Sequence, residues 1–193
     1  MLEKGKNNLS AFHLAGIVPV SGLKDDFGML WHPCMNPISH NYSAIERSVV
    51  ECAYAGCETI WVICDDDIQP LIKERLGDYI MDPSSVKRSG FAKYPSEHRR
   101  DIPIFYTPIH PKNRDKRDSL IWSAMHGALS AFVVSNKISK WLIPSKYYVC
   151  FPYGVYDPSS VYEHRKTISS NKSVLLAFGG MSAKSGDYMS FSF

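Results

Sequence analysis

The chain switches repeatedly between two hydrophobic periods. Residues 12–20 are apolar apart from His13, with Gly16 inside the run, which reads as a buried strand. Pro19 places the end of that run at the sheet margin. Thr59 opens a second short strand, β-branched and aromatic in character, that continues through residues 60–64. Between the two, Ile45, Val49, Cys52, Ala53 and Gly56 fall on one stripe at helical spacing. Ser43 with Glu46 three residues later forms a capping box, and Gly56 is a natural helix stop. Two buried strands joined by a helix are expected to lie parallel in one sheet.

The alternation continues downstream. Asp67 is the expected N-cap of a second helix, with Pro70 in its first turn and Gly77 at its end. Residues 102–109 alternate among prolines, as a strand toward a sheet edge does. Residues 119–135 form a strongly apolar helix opened by Asp118, with Gly127 inside it, and residues 147–151 are a further buried strand. Residues 174–178 and 188–193 read as two strands of a C-terminal β-hairpin around a turn-rich 182–187. The last of these has an apolar edge, for which a second copy of the chain is the expected partner, making a homo-oligomer. The whole pattern predicts an α/β fold, a three-layer α/β/α sandwich with a Rossmann-like mixed sheet. At 193 residues a single domain is expected.

Two connections carry the candidate chemistry. Most loops of α/β units run about 2–6 residues, whereas the segment 21–41 is far longer and holds Phe27, Met29, Leu30, Trp31 and Met35. Such a segment is expected to pack down over something. Its glycines, Gly22 and Gly28, allow close backbone approach to a phosphate, and Lys24 adds a point cation. His32 in the same segment is a candidate base or phosphate contact. The second connection is Asp65-Asp66-Asp67, where adjacent carboxylates repel unless a cation or donor is near. Oxygen ligands of this kind suit Mg2+ or Mn2+. Ligands of open α/β sheets bind outside the carboxyl ends of the strands, at a switch point. Both connections are expected at that rim, gripping a small phosphorylated molecule.

Composition and charge narrow the class. The five cysteines, Cys34, Cys52, Cys57, Cys64 and Cys150, form no CxxC pair and lie mostly in apolar segments. Small buried thiols in a reducing, cytoplasmic setting are the reading, not a disulfide framework. The N-terminal ten residues lack the apolar core of a secretory leader, and no run reaches the ~20 residues needed to span a bilayer. Nine Lys or Arg face three acidic residues between positions 84 and 117, although the whole chain carries only +3. Aromatics Phe91, Tyr94, Phe105 and Tyr106 are interleaved there. A solvated surface insertion is one reading, and a groove for a nucleic-acid backbone is the other.

The succession of AG, PVSG, SAIE, a second AG, IWVICDDD, LGD, IFYTPI, SAMHGALSA and YYVCFPYGVYD resembles the nucleoside-diphosphate-sugar pyrophosphorylases over roughly residues 12–160. These are nucleotidyltransferases with the glycosyltransferase-A type of fold. The resemblance implies that Val20, Ser21, Gly22 and Lys24 hold the nucleotide phosphates, with Asp65 and Asp66 near the base, ribose or metal. It implies that Asp157, after the fourth strand, is a ligand of the bridging Mg2+ or Mn2+. The loop lacks the family's Arg, and Asn36 stands where a Lys is expected. Nucleotidyl transfer to a sugar phosphate is the first expectation. A glycosyltransferase using a nucleotide-sugar, with hydroxymethylated DNA bases as acceptor, is the alternative. A non-catalytic binding module of the same fold is the third.

Overall fold

A computed structural model describes residues 12–22, 28–84, 100–114, 119–177, 179 and 190–193. The described elements are β1 (Leu14–Pro19), a 3-10 turn (Pro33–Met35), β2 (Pro37–Ser39), β3 (Tyr42–Ser43), α1 (Ala44–Ala55), β4 (Thr59–Asp65), α2 (Gln69–Leu76) and β5 (Tyr79–Met81). Then follow β6 (Asp101–Ile109), α3 (Pro111–Arg114), α4 (Leu120–Ile138), two further 3-10 turns (Lys140–Leu142 and Pro158–His164) around β7 (Lys146–Cys150), α5 (Arg165–Ile168), β8 (Val174–Leu176) and β9 (Ser190–Ser192).

The chain is α/β, built on one seven-stranded mixed sheet ordered β5-β6-β4-β1-β7-β9-β8. The four central strands β6, β4, β1 and β7 are parallel. β5 runs antiparallel to β6, and β9 runs antiparallel to both β7 and β8. Both faces of the centre are covered, which is why the strands read as near-continuous apolar runs. Leu14, Val18, Ile60, Val62 and Tyr148 point to the α1 side. Ala15, Ile17, Trp61, Ile63 and Val149 point to the side of α4.

The helices approach the sheet closely for local reasons. A Cβ at Gly16 would stand 2.9 Å from Cys52 Sγ of α1, and one at Gly127 would stand 2.5 Å from Ile63 Cδ1. The capping box is present, Glu46 accepting from the Ser43 N–H at 2.7 Å, and Gly56 caps α1 at φ +97°. α2 begins one residue later than expected: Ile68, not Asp67, is its N-cap. Ser119 opens α4, its hydroxyl accepting from Trp122 N–H, while Asp118 lies outside the described residues. The long connection 21–41 conceals the 3-10 turn and the β2–β3 hairpin, whose tight reversal puts Asn41 at φ +54°. It packs down only in part: Cys34 is buried and Met35 lies against the α1-side core, but Met29, Leu30 and Trp31 are exposed and Phe27 lies outside the described residues.

β9 and β8 pair as the expected hairpin does, but β9 is inserted between β7 and β8. The final strand therefore has no open edge, and the edge of the sheet on that side, among the described strands, is β8. All five cysteines are free and buried, as read from the sequence. No helix among the described residues is long and apolar enough to cross a membrane.

α1 is buried nearly all round, because the segment Pro158–His164 and α5 cover the side turned away from the sheet. Arg47 and Glu51 are consequently fully buried and form an ion pair one helical turn apart. Arg47 Nη2 also donates to Phe151 O at 2.6 Å, and its guanidinium lies 4.2 Å over the Tyr156 ring. Glu51 accepts from Tyr148 OH at 2.6 Å and Tyr156 OH at 2.5 Å. Removing one member leaves a buried charge unpaired, so Arg47→Met is expected to lower unfolding free energy by about 3–5 kcal/mol. Lys73→Ala, which breaks the exposed pair to Asp78 at 3.1 Å, is expected to cost under about 1 kcal/mol. Urea unfolding of both variants against wild type measures the contrast.

Candidate functional site

The parallel strands lie in the order third, second, first, fourth (β6-β4-β1-β7), so the chain first moves outward and then crosses back over β1. The helix that follows β1 and the helix that leads into β7 lie on opposite faces of the sheet, so the order reverses between β1 and β7, and ligands of such sheets bind outside the carboxyl ends there. Four segments meet at this rim: the turn after β1, the acidic turn after β4, the loop after β7 and the N-terminus of α4.

Ser21 joins three of these segments. Its hydroxyl donates to Asp65 Oδ1 at 2.7 Å, and its carbonyl accepts from Ser123 Oγ of α4 at 2.6 Å. Its N–H and that of Val20 both donate to Ile63 O, at 3.1 and 2.8 Å. Val20 is fully buried, and its carbonyl accepts from Tyr153 OH at 2.7 Å, which ties the β7 loop across the switch point. The two turns far apart in sequence thus converge, as their places after neighbouring strands require.

Gly22 has a role that the sequence did not reveal. At φ +94°, a Cβ there would stand 2.6 Å from the Ser119 carbonyl carbon. The close backbone approach that glycine permits is made to the start of α4. Gly28, at φ +66°, has open space around its missing Cβ. Lys24 lies outside the described residues, as does most of the basic region, residues 85–99 and 115–118. Of that region Arg100 is described, paired with Glu58 at 3.2 Å.

Asp65 is half-buried, while Asp66 and Asp67 are exposed. His32 caps the 3-10 turn, its Nδ1 accepting from Cys34 N–H at 3.3 Å. Burial lowers the His32 pKa, and the charges of Asp65 and Asp67 oppose the shift without reversing it. A neutral ring that accepts at Nδ1 carries its proton on Nε2, so His32 offers the rim a donor. Burial pushes the Cys34 and Cys64 thiols up to about 12. Neither is a nucleophile near neutral pH.

Asp157 stands apart from this constellation in role. It is the N-cap of the segment Pro158–His164, with Oδ1 accepting from Ser159 N–H at 2.9 Å and Oδ2 from Ser159 Oγ at 2.7 Å. Among the described residues, no group of three or more His, Cys, Asp or Glu is arranged to hold a metal ion. Tyr153, Ser123 and Ser119 are the rim residues the sequence reading missed. The FPYG turn after β7 and the Ser119 cap before the apolar helix were the available signals.

Two measurements test this geometry. Gly22→Ala meets backbone as well as a strained φ and is expected to destabilise by at least about 2 kcal/mol. Gly28→Ala meets the strain alone, about 1 kcal/mol; denaturant unfolding compares them. For His32, both folded and unfolded chains are neutral above about pH 6.5. Below it the unfolded chain takes up the proton first, so stability falls with pH toward the lower folded value. His32→Asn is expected to flatten the decline in Tm between about pH 6.5 and 5 without abolishing it, because burial also lowers the His13 pKa. An identical pH profile in the variant would remove His32 from this role.

Comparison with known proteins adds no assignment: the chain matches no protein-family profile and no curated protein.

Proposed function

We propose that this chain is a nucleotidyltransferase-like enzyme of the glycosyltransferase-A type, binding a nucleotide or nucleotide-sugar at the switch point between β1 and β7. The observation that carries the reading is the Ser21–Asp65 hydrogen bond, which fixes the loop after β1 and the acidic turn after β4 on one rim. The third-second-first-fourth strand order supports it, being the order of the first four strands of dinucleotide-binding folds. In the proposed reaction a sugar-phosphate oxygen attacks the α-phosphorus of a nucleoside triphosphate. A new P–O bond forms, and the bond to the β-phosphate breaks, releasing pyrophosphate. The chain's part is positioning and charge stabilisation. The N-terminus of α4, held against Gly22, presents its dipole to the phosphates. His32 donates from Nε2 to a phosphate oxygen, and Asp65 accepts from the ribose or base. Lys24 supplies a cation by resemblance to the family. Mg2+ or Mn2+ belongs to the same resemblance, but the described carboxylates do not fit a metal-holding set, so no step is routed through a cation.

A second reading has its own observation. The polar groups of Ser21 and the backbone of Val20 are already used within the protein. A rim so internally satisfied suits a module that binds a nucleotide without transferring it.

Thermal unfolding with the common nucleoside triphosphates and nucleoside-diphosphate sugars, with and without MgCl2, separates the readings. At a ligand concentration about 100 times Kd, binding adds about 2.7 kcal/mol, or roughly 5–10 °C in Tm for a chain of this size. Asp65→Asn, which keeps the acceptor for Ser21, is expected to cut that shift by at least half. Release of pyrophosphate from a triphosphate and a sugar phosphate supports the enzyme, and a shift without release supports the binding module. No shift with any nucleotide overturns both.

A further inference from the structure

We propose that the outer face of α4 is the two-fold interface of a homodimer, with a second copy of this chain as its occupant.

α4 is built the wrong way round for a solvent-facing helix. Its sheet side is lined by small residues, Ser123, Ala124, Gly127, Ala128 and Ala131, all buried. Its large residues point outward: Ile121, Met125, Leu129 and Phe132 are between 44 and 63 % exposed. The spacing of these four, i, i+4, i+8 and i+11, keeps them on one stripe. No Asp, Glu, Lys or Arg occurs between Ser119 and Asn136. A helix apolar on both faces is a buried helix, yet here no described residue covers the outer face.

The size of the patch fits a copy of the chain. Trp141 and Leu142 add exposed apolar surface past the helix end. Taking about 200 Å² for a fully exposed large side chain, these six residues offer roughly 700 Å². That is about the contribution of each partner to a standard-size interface and exceeds the ~300–600 Å² patch of a typical monomer.

Shape and charge point the same way. An isologous interface must be self-complementary, and this face carries both protrusion and recess. Met125 and Phe132 stand out, while beside them a groove of about 500 Å³ runs between α4 and β6, lined by Trp61, Phe105, Pro108, Leu129 and Val133. An uncharged stripe imposes no sign on its partner, and two copies laid antiparallel across it meet no like-charge repulsion. A lipid surface would call for Lys or Arg beside the apolar face, and the helix has none before Lys137.

The test is the solution mass of the full chain by light scattering and sedimentation equilibrium. Wild type is expected at twice the chain mass in the micromolar range. Met125→Lys and Leu129→Lys, both at exposed positions, are each expected to raise the dimer dissociation constant by about 100-fold with an unchanged far-ultraviolet spectrum. If either Lys variant fails to fold, Met125→Gln and Ile121→Ser provide the same reading with a smaller perturbation. Sedimentation with phosphatidylcholine–phosphatidylserine vesicles is the counter-measurement. A monomeric wild type, a dimer unaffected by all four substitutions, or a monomer that co-sediments with vesicles would each overturn the proposal.

Discussion

Burying an arginine and a glutamate inside a helix that is covered on two sides is unfavourable unless every charge finds partners. Arg47 and Glu51 find theirs in each other, in Tyr148 of β7, in the Phe151 carbonyl and in Tyr156 beyond it. Tyr148 continues the network to Ser190 of β9 at 2.6 Å. One side-chain cluster therefore joins α1, the central sheet, the added antiparallel strand and the loop that follows β7. Burial works against the charge on Arg47, but the Glu51 carboxylate, with the Phe151 carbonyl as a further acceptor, holds the guanidinium protonated. Burial and the nearby Glu51 carboxylate push the Tyr148 phenol well up, so it stays a donor.

That network fixes more than stability. The loop after β7 supplies Tyr153, whose hydroxyl reaches the Val20 carbonyl across the switch point. Arg47 holds the start of that loop and Tyr156 its far side, so the rim is positioned from behind by buried charge. A similar logic operates at the other end of β7. Lys146 Nζ donates to the carbonyls of Ile168, Ser170 and Lys172 at 2.7, 2.8 and 2.5 Å. The covering layer over α1 is thereby tied to the sheet where α5 ends.

The two faces of the sheet solve the covering problem differently. On the α1 side, the segment from Pro158 to Ile168 adds an extra layer, and Arg165 lies over Gly56 while bonding Ser84 Oγ at 3.1 Å. On the α4 side, small residues draw the helix onto β1 and β4, leaving its bulk outside. The first solution is completed within the chain, and the second is the one that calls for a partner.

Much of the frame was legible in the sequence, because it rests on local rules. The strand-helix-strand start, the Ser43–Glu46 capping box, the Gly56 stop and the apolar runs of β4 and β7 depend on neighbours a few residues away. The rim position of Ser21 and Asp65 followed from connectivity alone, since both come directly after parallel strands. What the sequence concealed was long-range. The burial of Arg47 and Glu51 depends on the 158–168 layer that closes over α1. Asp157 was read as a ligand by resemblance, and its capping of the segment Pro158–His164 was not legible. Gly22 looked like a phosphate cradle, and only the approach of Ser119 revealed its packing role. β9 read as an edge until tertiary pairing placed it between β7 and β8. Periodicity and capping are written in consecutive residues, whereas burial of charge and the sharing of a rim depend on which distant segments come to lie side by side.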